Sequence, residues 1–258
     1  MSAPVRPRRS VLYMPGSNPR ALDKARSLPA DGLIFDLEDA VAPDAKTGAR
    51  AQVCDAVRAG GYGAREIVIR VNGLATAWGH ADLTAAATAG ADAVLIPKVE
   101  SADMVRQAVA VLDAAGASAD LPLWCMIETA RGVLRAEAIA DASARVGCLV
   151  MGTSDLAREL RAAHTPLRLP MLTALGHCLL AARASGCAIL DGVHLDLKDD
   201  EGFAAVCRQG AELGFDGKTL IHPKQIEAAN QAFAPSEQDS SWTVWFEEAW
   251  SFRRLACG

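Results

Sequence analysis

Eight short apolar runs recur along this chain, each continuous rather than alternating. They are Ser10–Pro15, Gly32–Asp36, Glu66–Asn72, Ala93–Pro97, Pro122–Ile127, Gly147–Met151, Ala188–His194 and Gly217–His222. An alternating run marks a strand with one face in water. A continuous run marks a strand buried on both faces, as parallel strands are when helices cover them. Ala-rich stretches with helical spacing lie between the runs. In Ser101–Ala115, residues Met104, Val105, Ala108, Val111 and Leu112 fall on one stripe. Ser101 is placed to cap its start and Gly116 to end it. Gly186, Gly210 and Gly214 punctuate later units in the same way.

Eight such units predict a (β/α)8 barrel, the TIM-barrel class of α/β fold. The length of 258 residues suits one barrel. An open doubly wound sheet is the alternative. A dinucleotide-binding sheet would need G-x-G-x-x-G after its first strand, where this chain has Pro15-Gly16-Ser17-Asn18-Pro19. The expected division is a barrel over residues 1–235 and a C-terminal helical tail over 236–258. That tail contains Trp242, Trp245, Phe246 and Trp250 at helical spacing, which reads as a packing or subunit-contact face.

Composition excludes several classes. Net charge is −5 with no block of like charges, which argues against nucleic acid as a partner; Arg6, Arg8 and Arg9 form the one local basic patch. No apolar run reaches the length of a membrane span. The seven cysteines are scattered and odd in number, with no Cys-x-x-Cys pair. They read as core fillers in a reducing, cytoplasmic setting.

Barrel chemistry sits at the C-terminal ends of the strands. Those ends are polar here: Asp36-Leu37-Glu38-Asp39, Arg70 with Asn72, Lys98, Glu128-Thr129, Gly152-Thr153-Ser154-Asp155, and His222. Several carboxylates converging with one or two cations require a countercharge. A hard divalent ion, Mg²⁺ or Mn²⁺, with oxygen ligands supplies it. Each residue also has a plain structural role available. Glu128 could cap a helix from Arg131 onward, Asp155 could be the N-cap of a helix starting at Leu156, and Arg70 could pair with a rim carboxylate. Lys98 could form a Schiff base or simply pair with Glu38 or Asp39. Burying this many charges without function is costly, so taken together they read as a site.

The strings RSVLYMPGSNPRALDKA, GLIFDLEDAVAPDAK, IVIRVNG, AVLIPKVES, CMIETARGVL, MGTSDLAREL and GFDGKTLIHPKQIEAAN occur in order from Arg9 to about Pro235. Together they resemble the citrate lyase β-subunit-like branch of the HpcH/HpaI aldolases, which includes malyl-CoA and citramalyl-CoA lyases and related thioesterases. The resemblance implies that Glu128 and Asp155 are magnesium ligands and that Arg70 grips a substrate carboxylate. It implies that Asp36, Glu38 and Asp39 hold metal-bound waters or orient Arg70, with Lys98 beside them. Tyr13, Arg20 and Lys24 match positions that contact coenzyme A. A divalent ion held this way would carry the negative charge left when a bond adjacent to an oxo-acid carbonyl breaks.

The expected activity is a carbon–carbon lyase that acts on a hydroxy-dicarboxylic acid or its coenzyme A thioester and releases an α-oxo acid. The resemblance also implies a homo-oligomer, a trimer or a multiple of one. In such lyases a further C-terminal segment, glycine-rich and bearing an aspartate, lends an acid/base across a subunit interface. Asp239, Glu247 and Glu248 do not sit in a matching context. The acid/base is therefore unassigned at this stage, and two further readings stand. One is an aldolase that works without coenzyme A; the other is an oxo-acid and metal-binding protein without turnover.

Overall fold

A computed structural model describes residues 6–235. Eight parallel strands close into a barrel in chain order. They are β1 (Ser10–Pro15), β2 (Gly32–Asp36), β3 (Glu66–Arg70), β4 (Ala93–Ile96), β5 (Leu123–Ile127), β6 (Val146–Met151), β7 (Ala188–Asp191) and β8 (Gly217–Leu220). The barrel closes by β1 pairing β8, with Ser10 opposite Lys218 and Leu12 opposite Leu220. Helices lie in every gap: α1 (Pro19–Lys24), α2 (Lys46–Ala59), α3 (Gly79–Ala86) and α4 (Ala102–Ala114), then α5 (Ala130–Leu134) with α6 (Ala136–Ala140). Beyond them come α7 (Thr153–Glu159) with α8 (Leu172–Ser185), α9 (Asp200–Leu213) and α10 (Ile226–Ala232). The Trp-rich segment and the other acidic candidates of residues 236–258 lie outside the described residues.

Both strand faces are buried, which is why the runs are continuous. One face fills the barrel, where Val11, Ile34, Val68, Leu95, Trp124 and Val150 pack together. The other face packs under the helices, with Leu33, Phe35, Ile69, Val94 and Leu149 among its members. Trp124 and Phe35, each fully buried, belong one to each layer. Six cysteines are buried and free, as core fillers should be; Cys257 lies outside the described residues. Ser101 caps α4 by accepting from the Met104 N–H at 3.3 Å. The helix buries Val105, Ala108 and Leu112, and Gly116 follows it with φ of +79°.

Two expectations change. Several strands end before their apolar runs do, β3 at Arg70 rather than Asn72 and β7 at Asp191 rather than His194. Beyond Arg70 the Val71 N–H still donates to the Leu95 carbonyl, but the Asn72 N–H turns to a side chain and donates to Asp82 Oδ2 at 3.0 Å. The basic patch is neutralised one residue at a time. Arg6 pairs with Asp92, Arg8 with Glu66 and Arg9 with Asp31, all within 2.8 Å. Arg8 also lies over the Trp124 ring, 5.1 Å from its centroid. Among the described residues, no helix is long and apolar enough to cross a membrane.

Candidate active site

Polar strand ends converge on a cavity of about 370 Å³ at the C-terminal mouth of the barrel. Tyr13, Asp36, Asp39, Arg70, Glu128 and Asp155 are among the residues that line it. Glu38 and Lys98 reach the same group through ion pairs. Of the polar residues singled out for roles or strand ends above, Asn72 and Thr129 do not line the cavity, and Arg20, Lys24 and His222 stand apart. Arg20 and Lys24 are exposed on α1 and do not line this cavity. His222 is exposed, and its Nδ1 accepts from the Lys224 N–H, capping the turn that follows β8.

Arg70 is the organising cation. It is 6% exposed at the end of β3. Its Nε and Nη2 both donate to Asp36, each at 2.6 Å, so the fork is engaged by a carboxylate from the adjacent strand. Asp36 is fully used, since its oxygens also accept the Glu38 and Ala40 N–H groups. Nη1 is the nitrogen that Asp36 does not engage, and it donates to Met126 Sδ at 3.8 Å. It lies 2.9 Å from Glu38 Oε2, but that oxygen makes no well-directed hydrogen bond. The Tyr13 ring covers the guanidinium, 4.9 Å from carbon to centroid. Its hydroxyl is buried and has no partner among the described residues, and burial pushes its pKa up.

Lys98 and Glu128 form the second knot. Lys98 adopts φ of +51°, a left-handed conformation that costs a non-glycine residue on the order of 1–3 kcal/mol. The gain is visible: its N–H donates to Glu128 Oε1 at 2.8 Å. Its Nζ donates to Glu38 at 2.7 Å and lies 3.6 Å from Asp155. Burial alone would lower the Lys98 pKa, but the hydrogen bond and charge of Glu38, then Glu128 and Asp39, raise it. A lysine held protonated is a poor Schiff-base nucleophile.

The plain structural roles fail for both candidate metal ligands. Thr129, not Glu128, caps α5, accepting from the Gly132 N–H at 3.0 Å, and the helix starts at Ala130 rather than at Arg131. Gly152, not Asp155, is the N-cap residue of α7; Asp155 stands in its first turn, 2.7 Å from Arg158. A Cβ at Gly152 would overlap the Glu128 side chain, so only glycine lets α7 begin against the end of β5. Glu128 is 3% exposed, and its pKa is pushed up to about 7 by burial first and then by the charge of Glu38. Around the cavity stand five carboxylates (Asp36, Glu38, Asp39, Glu128, Asp155) against Arg70, Lys98 and the exposed Arg158.

That excess of carboxylates, with burial and Glu38 raising the Glu128 pKa, suits a site that takes a cation. The donors are hard carboxylate oxygens, which suits magnesium. Among the described residues no group of three or more His, Cys, Asp or Glu is set to enclose a metal. Mg²⁺ is commonly held by one or two carboxylates plus water and substrate, so the pair Glu128 and Asp155 fits it.

Several supports were not legible as motifs. Lys46 is buried and donates to the Leu37 and Glu38 carbonyls, fixing the turn that carries Glu38 and Asp39. Asn72 is held by Asp82, which Arg50 grips at 2.5 Å. Buried Lys46 and Asp82 are signalled only by where they lie in the fold.

The chain matches the family model described as HpcH/HpaI aldolase/citrate lyase over residues 9–223. It is 55% identical to a (3S)-malyl-CoA thioesterase of Cereibacter sphaeroides, an alignment covering 92% of this chain and 80% of that one. It is 36% identical to the citrate lyase subunit beta of Escherichia coli, covering 91% and 79%. Among solved structures, the citrate lyase beta subunit from M. tuberculosis complexed with oxaloacetate and magnesium aligns with a TM-score of 0.74 at 32% identity, covering 89% of this chain and 98% of that one. With its closed eight-stranded barrel and these matches, the chain belongs to the HpcH/HpaI aldolase/citrate lyase family, in its citrate lyase β-subunit-like branch.

Proposed function

We propose that this protein is a Mg²⁺-dependent enzyme of hydroxy-dicarboxylic acids or their coenzyme A thioesters, cleaving a carbon–carbon bond to release an α-oxo acid. The observation that carries this reading is the state of Glu128 and Asp155. Neither caps a helix, both face one cavity, and Glu128 is buried among more carboxylates than cations. In this reading the two carboxylates hold the metal, which when bound supplies Lewis-acid polarisation of a substrate oxygen. Arg70, locked by Asp36, presents Nη1 to a substrate carboxylate. Lys98, kept protonated, places a fixed positive charge beside Asp155 where negative charge would develop. Met126, Met151, Val193 and Leu195 give part of the lining an apolar surface. Tyr13 lines this cavity, with its ring over the Arg70 guanidinium. A crystal structure of CitE from Mycobacterium tuberculosis, in complex with magnesium, acetoacetate and coenzyme A, supports the choice of substrate class; it aligns at 32% identity with a TM-score of 0.75.

Thioester hydrolysis on the same site is the second reading, favoured by the 55% identity to a protein named (3S)-malyl-CoA thioesterase. One assay separates the two. The full chain is incubated with Mg²⁺ and (3S)-malyl-CoA, and two products are followed. Carbon–carbon cleavage yields glyoxylate, trapped as its phenylhydrazone, and acetyl-CoA. Hydrolysis yields malate and a free thiol. Either product should depend on metal, disappearing with EDTA and returning with Mg²⁺. A panel of malyl-CoA, citramalyl-CoA, citryl-CoA and the free acids that gives no product, with oxaloacetate still bound, would replace both readings with a binding protein.

A further inference from the structure

A second cavity, also of about 370 Å³, opens beside the acidic one and shares Thr153, Ser154, Val193 and Leu195 with it as a common wall. Its chemistry is opposite. Behind its lining residue Arg168, Asp191 and Lys218 are both fully buried, with Lys218 Nζ donating to Asp191 Oδ2 at 2.8 Å. Arg168 Nη1 donates to both Asp191 oxygens at 2.8 Å, and its Nε donates to Gln209 at 2.7 Å. Fully buried Lys218 and half-buried Arg168 thus share one carboxylate. Asp196 and Asp199 line the outer part, but both are exposed and turned to their own backbone, toward the Lys198 and Gly202 N–H groups.

Three polar atoms of the lining are buried without a partner among the described residues: Arg168 Nη2, Thr165 Oγ1 and His194 Nε2. A buried polar atom without a partner costs free energy, so three along one cavity call for a hydrogen-bonding ligand, and Arg168 Nη2, which can only donate, calls for an acceptor. An excess buried cation calls for that ligand to be an anion. Arg168 holds φ of +51° while its side chain turns inward. Its free Nη2, a hydroxyl and an imidazole together suit a planar carboxylate.

We propose that this cavity is a second binding site, for the carboxylate of a small organic acid, built on Arg168, Thr165 and His194. The carboxylate comes either from the far end of a molecule held in the acidic cavity or from a separate small acid.

The test uses NMR of the His194 imidazole, one of five in the chain and assigned with His194→Gln. Acetate is titrated into the full chain in EDTA, with chloride at matched ionic strength as the control. A saturable shift with acetate and none with chloride is expected, and Arg168→Gln should weaken acetate about tenfold or more. Thr165→Val, which keeps every charge, should weaken it less and serves if Arg168→Gln does not fold. A His194 signal that ignores acetate, or follows chloride equally, overturns the proposal; so does unchanged affinity in either folded variant. This arm is independent of the proposed reaction. A further arm rests on that reading and compares oxaloacetate with pyruvate in Mg²⁺. Given the acetate response, a further His194 shift with oxaloacetate but not with pyruvate supports the far-carboxylate source, and a response to acetate but to neither oxo acid supports the separate acid.

Discussion

The two cavities at the barrel mouth have the same volume and share a wall, yet they are built on opposite electrostatic plans. The acidic one gathers five carboxylates around Arg70 and Lys98, and its strain is a raised Glu128 pKa. The cationic one centres a single carboxylate between Arg168 and Lys218. Burial would raise the Asp191 pKa, but Lys218 and then Arg168 outweigh it and hold the carboxyl below its ordinary range. Each plan spends one left-handed non-glycine residue, Lys98 in the first and Arg168 in the second. The difference teaches how to tell ballast from site. Asp36 and Asp191 have their oxygens engaged within the fold, whereas Glu128, Asp155 and Arg168 Nη2 keep capacity to spare.

Four measurements sharpen or break this contrast. The largest effect is expected at Asp191. Asp191→Ala leaves Arg168 and Lys218 buried together, and removing one partner of such a cluster costs about 3–5 kcal/mol. Urea unfolding should register that loss, and a stability change below about 1 kcal/mol would show that the cations are already solvated. Asp39, with its side chain 63% exposed, is the contrast on the acidic side. Asp39→Asn should stay within about 0.5 kcal/mol of the parent.

Next comes Arg70→Lys, which keeps the charge but loses the fork to Asp36. A charged hydrogen bond contributes about 1.5–3 kcal/mol, and stability should fall on that scale. Under the proposed function oxaloacetate affinity falls too, measured by calorimetry on the folded variant. If stability falls and affinity does not, Arg70 belongs with Asp36 as framework.

Third is the pH dependence of Mg²⁺ binding. Glu128 holds its proton to about pH 7 in the metal-free protein. The raised pKa means that the metal competes with a proton below pH 7 and meets a free carboxylate above it. Apparent affinity should therefore drop about tenfold between pH 8 and pH 6, with proton uptake by the buffer visible in the heat. A flat profile would place the metal elsewhere. The same shift has a sign for stability. Without metal, this group's contribution is fully present below the ordinary carboxylate pKa and is lost as pH rises through about 7.

The smallest effect is expected from Thr129→Ala, which removes the α5 cap and should cost about 1 kcal/mol in melting experiments while leaving Mg²⁺ affinity intact. A large loss of metal binding would mean that the cap also positions Glu128.

The eight runs were legible because a strand buried on both faces must be apolar at every position, and that is a local constraint. Polar residues at their C-terminal ends were legible because that is where barrel strands open to the mouth. Hence Arg70, Glu128 and Asp155 could be singled out in advance as residues of that end, and all three line one cavity. Which residue caps which helix could not, since Thr129 and Glu128 are neighbours and either could have turned toward the α5 N–H groups. Nor could the use of the Arg70 fork, which depends on Asp36 arriving at register with Arg70 on the adjacent strand.

The chain order of apolar runs and Ala-rich helices thus determined the barrel, its two-layered core and the identity of the polar strand ends, because these follow from periodicity and burial within short windows. Only the tertiary structure decided which carboxylates are satisfied and which are left with spare valence. It alone assembled the cationic cavity, where Arg168 meets Asp191 across 23 residues and Asp191 meets Lys218 across 27. No local pattern carries such pairings, since charge balance in a buried site is a property of distances through space rather than along the chain.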